Sequence, residues 1–258
     1  MTTWNPTQYL RFGDERIRPA LDLLTRIYLD AFEGTQTVYD LGCGTGAVTA
    51  MMKERWPDAR VTGVDSSPAM LDRARKLDAD VHWLERDLNE WKPEEPASLL
   101  YSNAVLHWLD DHETLFPQLM SALKPGGVLA VQMPHNFSAP SHTLIAETVR
   151  NGAWREELEP EFREQPVLEP WEYYDILSPH ATTLDLWETT YLHVLQGEDP
   201  VVEWTKGSIL GPILDRLDEA GVQAFLDAYR RPVGQAYPQR GDGKTVLPFK
   251  RLFLIATR

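Results

Sequence analysis

Three glycines that alternate with other residues, Gly42, Gly44 and Gly46, follow a short apolar segment that has Asp40 near its end. Glycine lets a backbone approach a ligand closely and adopt positive φ angles. A second acid, Asp65, ends the next apolar segment about 20 residues further on, where an acid in a βαβ unit suits the two hydroxyls of a ribose. These residues indicate binding of a nucleoside-containing ligand, with a purely structural turn as the alternative.

Alternating strands and helices must position these residues. The pattern predicts strands at 37–41, 60–64, 81–85, 98–103 and 127–133, and helices near 46–56, 68–77 and 112–123. Such alternation requires a parallel sheet with helices on both faces, and ligands bind outside the carboxyl ends of its strands. Four polar residues fall at those ends: Asp40, Asp65, Asp87 and Asn103.

The flanking segments are less regular. Residues 6–32 read as helical, with an apolar stripe formed by Leu21, Leu24, Ile27 and Ala31. Beyond the alternating part, the pattern predicts a helix at 142–155, a strand at 184–195, helical residues at 201–229 with a break at Gly211–Pro212, and a strand at 249–257.

Five motifs in order resemble the class I S-adenosylmethionine-dependent methyltransferases. They are the Asp-Leu-Gly-Cys-Gly-Thr-Gly loop at 40–46, the acids Asp65 and Asp87, the segment Ser-Asn-Ala-Val-Leu-His-Trp at 102–108, and the turn Leu-Lys-Pro-Gly-Gly at 123–127. The resemblance implies a Rossmann-like α/β fold, with a seven-stranded, mostly parallel sheet that has one antiparallel edge strand. It also implies one domain, 1–258, comprising a helical lid (1–35), a cofactor-binding core (36–134), substrate-side insertions (135–183 and 197–248) and closing strands (184–196 and 249–258).

The same resemblance implies S-adenosylmethionine as the cofactor, S-adenosylhomocysteine as its product, and no metal. The residues implied to bind it are Tyr9, Arg11, Asp40, Gly42, Cys43, Gly44, Gly46, Asp65, Ser66, Asp87, Leu88, Asn103 and Ala104. Among them, Asp65 is expected at the ribose, Asp87 at the adenine amino group, and Asn103 and Ala104 under the methionine ammonium. Each Asp could instead cap the helix that follows it.

The flanks at 4–12, 135–142 and 247–256 resemble those members of the class that methylate trans-aconitate. This implies a small polycarboxylate substrate and a monomethyl ester product. A carboxylate with a pKa of about 4 is already ionised at neutral pH, so no general base is expected. His107 is the candidate catalytic contact, and the candidate substrate-binding residues are His135, Arg150, Lys206, Arg231 and Arg240.

The amino-acid composition limits the kinds of partner that the protein can bind. The formal charge of −14 argues against nucleic acid, and it means that a tricarboxylate must be attracted by a local group of cations. No apolar run approaches the ~18 residues of a membrane span and no signal segment precedes the first helix, so we expect a cytoplasmic protein that does not bind membranes. The single cysteine, Cys43, excludes an internal disulfide. A monomer and a homodimer are both left open.

Three other functions stay open at this point. The aromatic residues between 154 and 174 would suit a methyltransferase that acts on a phenol or an amine. A non-catalytic S-adenosylmethionine-binding module is a second alternative. A nicotinamide dehydrogenase is a third, which the G-x-G-x-G spacing disfavours because dinucleotide-binding folds use G-x-G-x-x-G.

Overall fold

The computed structural model describes residues 17–29, 35–159, 165–207 and 209–258. Its strands are β1 (Thr37–Leu41), β2 (Arg60–Asp65), β3 (His82–Glu85), β4 (Ala97–Asn103), β5 (Leu123–Pro134), β6 (Thr183–Leu195) and β7 (Thr245–Thr257). Its helices are α1 (Arg18–Thr25), α2 (Ala47–Arg55), α3 (Pro68–Ala74), α4 (His112–Ser121), α5 (Pro140–Asn151), α6 (Arg155–Leu158), α7 (Pro170–Leu177), α8 (Pro200–Lys206), α9 (Leu210–Leu214) and α10 (Glu219–Ala236).

The strands form one seven-stranded sheet in the order β3-β2-β1-β4-β5-β7-β6. Strands β1 to β5 pair in parallel. Strand β7 runs antiparallel to β5, because Gly126 and Gly127 bond to Arg258 at one end of the pair while Gln132 contacts Arg251 further along. The predicted Rossmann-like, mostly parallel sheet is confirmed.

The central strands carry the core, as their apolar sequences predict. All five residues of β1 are buried, and so are the first six of β4. Burial on both faces explains why these strands read as continuous apolar runs and do not alternate. The predicted stripe of Leu21, Leu24 and Ile27 is buried, and the Tyr101 hydroxyl fixes α1 to the sheet by donating to the Ala20 carbonyl at 2.8 Å. Ala31 lies outside the described residues.

Several predicted boundaries were wrong. The helix predicted from residue 6 is described only from Arg18 to Thr25, and residues 26–29 are not helical. Gly211 and Pro212 do not break a helix; they lie inside α9, because proline is tolerated in a first helical turn, where its missing N–H has no partner to lose. The last strand begins at Thr245, four residues earlier than predicted, and continues through Pro248.

Contacts divide the chain into two compact units. The first comprises residues 1–133, 167–189 and 251–258, and the second comprises 134–166 and 190–250. Residues 167–183, predicted to belong to an insertion, group with the first unit, where Tyr173 of α7 packs on Phe116 of α4. In the second unit, α5 and α10 enclose a core that includes Ile145 and Phe225. The prediction that residues 1–258 form a single domain stays a prediction.

No helix in the part of the chain that the structure describes is both long and apolar enough to cross a membrane.

Candidate functional site

The glycine turn is held against the second strand by its own backbone. The N–H groups of Gly42 and Cys43 both donate to the Val64 carbonyl, at 2.7 and 2.9 Å. The glycines take φ angles of 77° at Gly42, 54° at Gly44 and 80° at Gly46. These left-handed conformations cost an L-residue roughly 1–2 kcal/mol each, which explains glycine at all three positions.

Asp65, the last residue of β2, organises the turn from the other side. One carboxylate oxygen accepts the Gly44 N–H at 2.8 Å, and the other accepts the Ser67 N–H at 2.8 Å. Hydrogen bonds to an ionised acceptor are stronger than neutral ones. Asp65 therefore links the glycine turn to the start of α3, where the Ser67 side chain accepts the Met70 N–H as a helix cap.

The three glycines of the turn differ in what surrounds them. A methyl group at Gly42 would lie 2.2 Å from Val105, and one at Gly46 would lie 2.5 Å from the Trp83 ring. These two positions are bare because other parts of the protein pack against them. At Gly44, by contrast, an added methyl would meet no atom within 4 Å. Of the three, only Gly44 offers an open backbone surface to a ligand. This corrects the expectation that all three residues are glycine so that a ligand can approach the backbone.

Asp40 lies beneath the turn and out of contact with water. Its carboxylate accepts the Thr49 hydroxyl at 2.6 Å, which ties β1 to α2. Burial raises the pKa of Asp40 to about 7, against a lowering by the Thr49 bond and with a smaller rise from Asp65. Burial, together with Asp40 and Asp65, also raises the pKa of the Cys43 thiol. Cys43 is therefore protonated at neutral pH and is no nucleophile.

The Asp40 pKa predicts how stability changes with pH. In the unfolded chain the carboxyl has a pKa of about 3.9, so between about pH 4 and pH 7 the folded protein holds a proton that the unfolded chain has lost. We expect the free energy of unfolding to fall as the pH rises through this window, by at most about 1.4 kcal/mol per pH unit from this group. Asp40→Asn, which keeps an acceptor for Thr49, should remove that part of the fall.

Urea unfolding of wild type and Asp40→Asn at pH 5, 6 and 7 measures the effect, with the exposed Asp72→Asn as the control. The variant should gain stability relative to wild type as the pH rises. Parallel profiles for wild type and Asp40→Asn would show that Asp40 titrates normally.

The end of β4 carries two features that point to a ligand. Ala104 has a φ of 57°, an unusual value for a residue with a side chain, and its N–H donates to the Gln132 carbonyl at 2.9 Å. Strained backbone of this kind clusters at functional sites. The Asn103 side-chain oxygen is buried, and no described residue donates a hydrogen bond to it. An acceptor in that state fits a donor from a bound ligand, such as an ammonium group.

His107 lies in a short 3₁₀ turn, Leu106–Trp108, directly after this strand end. Its ring is buried, with its centroid 4.8 Å from that of Trp108. The turn is held by His112, whose Nε2 lies 2.9 Å from the Leu106 carbonyl and whose Nδ1 lies 2.6 Å from the Tyr173 hydroxyl. A carbonyl can only accept, so Nε2 carries a proton.

This assigns a continuous chain of hydrogen bonds. The Leu168 N–H donates to the Tyr173 oxygen at 3.3 Å, the Tyr173 hydroxyl lies 2.6 Å from His112 Nδ1, and His112 Nε2 donates to the Leu106 carbonyl. Burial raises the pKa of Tyr173, so its hydroxyl keeps its proton. The chain joins α7 and α4 to the turn that bears His107.

Three further residues predicted to bind the cofactor, Asp87, Ser66 and Leu88, take no part in the hydrogen bonds described above. One oxygen of Asp87 accepts the backbone and side-chain N–H groups of Asn89, both at 2.9 Å, in a local turn. Ser66 is exposed and Leu88 is half-buried. Their roles stay predictions, as do those of Tyr9 and Arg11, which lie outside the described residues.

The predicted substrate-binding residues all belong to the second unit. Arg150 lies 3.8 Å from the Glu159 carboxylate, and Lys206 lies 2.6 Å from that of Glu203. Arg231 and Arg240 are exposed, while His135 is buried and its backbone N–H donates to the Lys250 carbonyl. Exposed cations of this kind are usually solvated surface groups. Within the described residues, no group of three or more His, Cys, Asp or Glu side chains is placed to hold a metal.

Some buried polar side chains in the first unit were not predicted from the sequence. Arg251, on β7, is only 7% exposed, and its guanidinium donates to the Gln132 side chain at 3.2 Å. A charged residue inside a strand predicted from its apolar residues was the available signal, since burial of a charge is costly. His112 and Tyr173 carried no such signal, because their contact spans 61 residues of sequence.

Comparison with known proteins agrees with this geometry. A family model described as a methyltransferase domain matches residues 38–127. A plantazolicin methyltransferase, solved with an analogue of its substrate and S-adenosylhomocysteine, aligns with a TM-score of 0.51 at 16% identity, over 98% of this chain and 89% of that one, and so shares the fold.

Full-length relatives narrow the assignment. The chain is 48% identical to the trans-aconitate 2-methyltransferase of Azoarcus sp. (strain BH72), over 100% of both chains. It is 44% identical to the protein of that name from Methylobacterium radiotolerans, over 100% of this chain and 99% of the other. The chain therefore belongs to the trans-aconitate 2-methyltransferase family, within the class I methyltransferases.

Proposed function

We propose that this protein transfers the methyl group of S-adenosylmethionine to a carboxylate of trans-aconitate, or of a closely related small polycarboxylate, to give a monomethyl ester. The observation that carries the proposal is 48% identity along the whole length of a relative that bears this name. The likeness extends beyond the cofactor-binding residues 38–127, which a methyltransferase of any specificity would share.

Residues of the first unit are suited to hold the cofactor. Gly44 presents the open backbone surface of the turn, and Asp65 stands beside it to accept from the ribose hydroxyls. The buried Asn103 oxygen is suited to accept from the methionine ammonium. When bound, the cofactor supplies an electrophilic methyl group on a sulfonium.

The protein's own part in the reaction is alignment. A carboxylate nucleophile has no proton to lose at neutral pH, so His107 is proposed to contact the acceptor and not to act as a base. Correct orientation alone can supply ~7–11 kcal/mol of the barrier. The His112 chain is placed to provide that rigidity, because it fixes the turn on which His107 lies.

One assay tests the function. Purified protein is incubated with methyl-labelled S-adenosylmethionine and a panel of dicarboxylates, tricarboxylates, phenols and amines. A base-labile methyl ester on trans-aconitate supports the proposal. Label on a phenol or an amine alone would replace the proposed substrate, and cofactor binding with no transfer to any acceptor would favour a non-catalytic binding module.

Two substitutions at His112 test its positioning role. Glutamine places its amide nitrogen near the position of Nε2 and can still donate to Leu106, whereas asparagine reproduces only the Nδ1 side, toward Tyr173. We expect His112→Asn to lower kcat about tenfold more than His112→Gln, because misplacement by ~1 Å can cost ~100-fold in rate.

Each variant loses one buried hydrogen bond, so urea unfolding should show a similar loss in the free energy of unfolding for both. Calorimetry should show the same affinity for S-adenosylhomocysteine in both. An equal kcat for the two variants would mean that the Leu106 bond has only a structural role.

A further inference from the structure

Two amide side chains at the ends of neighbouring strands each have a buried atom without a hydrogen-bond partner. Within the described residues, nothing donates to the buried side-chain oxygen of Asn103, the last residue of β4. Gln132 of β5 is fully buried, and in the same part of the chain nothing accepts from its side-chain nitrogen. Buried polar groups of native proteins nearly always have a partner, so these two atoms point to a ligand.

A bond from the closing strand fixes the orientation of the Gln132 amide. Nη1 of Arg251, on β7, donates to the Gln132 side-chain oxygen at 3.2 Å. A guanidinium has only donors, so the atom that it contacts must be the oxygen, and the other amide atom must be the nitrogen. Arg251 is therefore a positioning residue, and Gln132 presents a donor beside the acceptor that Asn103 presents.

The two amides lie side by side at the edge of the sheet where ligands bind. Asn103 and Gln132 are register partners in the parallel pair of β4 and β5, so their side chains stand on the same face, on strands roughly 4.8 Å apart. The Ala104 N–H donates to the Gln132 carbonyl at 2.9 Å, which holds the two strand ends together. This is the carboxyl edge of the sheet. One ligand group that has both a donor and an acceptor can therefore reach both side chains.

The hydrogen-bonding character of the pair distinguishes between the two ligands of the proposed function, on which this inference rests. A polycarboxylate that is ionised at neutral pH has only acceptors, so it cannot donate to Asn103. The amino-acid end of the cofactor has an ammonium and a carboxylate on one carbon. We propose that Gln132 binds the carboxylate of the cofactor while Asn103 accepts from its ammonium, so that the two amides together recognise the amino-acid end.

Three variants remove one member of the pair at a time. Gln132→Glu keeps the oxygen that faces Arg251 but replaces the donor with a carboxylate oxygen, which repels the ligand carboxylate. Gln132→Met removes the donor without adding a charge, and Asn103→Leu removes the acceptor. Gln118→Glu is the matched control, since it makes the same change of charge at an exposed position of α4. Thermal unfolding of each variant establishes that it is folded.

Calorimetry with three ligands assigns each contact. The ligands are S-adenosylhomocysteine, its analogue without the carboxylate and its analogue without the amino group. Both Gln132 variants should bind S-adenosylhomocysteine and the analogue without the amino group about tenfold or more weakly than wild type, because a hydrogen bond to a charged group is lost. Their affinity for the analogue without the carboxylate should stay within about twofold of wild type.

Asn103→Leu should show the converse pattern. It should weaken binding of S-adenosylhomocysteine and of the analogue without the carboxylate about tenfold or more, and leave the analogue without the amino group within about twofold of wild type. Gln118→Glu should leave all three affinities within about twofold.

Two results would overturn the proposal. Equal weakening of all three ligands in the Gln132 variants would give Gln132 a structural role only. Unchanged affinity for S-adenosylhomocysteine in folded Gln132→Met would mean that the donor faces water, or the acceptor substrate if the KM for trans-aconitate rises. The proposed function fails separately: a wild-type protein that binds S-adenosylhomocysteine and does not methylate trans-aconitate refutes that function and leaves these titrations valid.

Discussion

Replacing Asp65 with alanine is expected to weaken binding of S-adenosylhomocysteine by about 100-fold or more, because hydrogen bonds to a charged acceptor contribute roughly 1.5–3 kcal/mol each and every 1.4 kcal/mol is tenfold. The variant loses the proposed contacts to the ribose hydroxyls. It also loses the acceptor for the Gly44 and Ser67 N–H groups, so the turn itself becomes less ordered. Isothermal titration calorimetry measures the loss directly.

Asp72→Ala is the matched control for Asp65→Ala. Asp72 is an exposed acid on the helix that follows, paired with Arg75 at 3.0 Å, and exposed pairs contribute roughly 0–1 kcal/mol. Its removal should leave cofactor affinity within about twofold of wild type. If folded Asp65→Ala binds as tightly as wild type, Asp65 is a structural cap and does not contact the ribose.

The second large effect separates the glycines of the turn. Gly46→Ala would place a methyl group 2.5 Å from the Trp83 ring and 2.9 Å from the Ala74 side chain, at a φ of 80°. We expect it to destabilise the fold by roughly 2–5 kcal/mol, the sum of overpacking and left-handed strain. Gly44→Ala carries only the strain, roughly 1–2 kcal/mol, because nothing lies within 4 Å of its added methyl.

Gly44→Ala should therefore fold yet bind the cofactor at least ~10-fold more weakly, because its methyl occupies the surface proposed to face the ligand. Gly243→Ala provides the control, since Gly243 also has a left-handed φ, of 80°, and no atom closer than 3.9 Å to an added methyl. Urea unfolding and calorimetry on the three variants separate stability from binding. Normal cofactor affinity in Gly44→Ala would show that the ligand does not approach the turn at this residue.

Local patterns sufficed to predict much of the fold. The apolar runs of β1 and β4 and the glycine spacing reflect constraints within a few residues. The motifs from Asp40 to Asn103 predict the cofactor side of the site, and those residue roles stay predictions. The break predicted at Gly211–Pro212 was wrong because a first helical turn tolerates proline, and the last strand begins four residues earlier than predicted.

What the sequence did not reveal arises from contacts between distant residues. Trp83 fills the space behind Gly46, although nothing in its own strand marks it as a partner of the turn. Gln132 and Arg251 are 119 residues apart and meet only once β7 has been placed beside β5.

The bond between His112 and Tyr173 has a consequence for how the protein folds. Closing a contact over 61 residues carries a large entropic cost that is recovered only after the intervening structure has formed. The hydrogen bond that closes the glycine turn, from Gly44 to Asp65, spans only 21 residues of sequence. We therefore expect a refolding molecule to gain its nucleoside-binding capacity before the turn bearing His107 becomes rigid, so that binding competence precedes enzymatic competence in time.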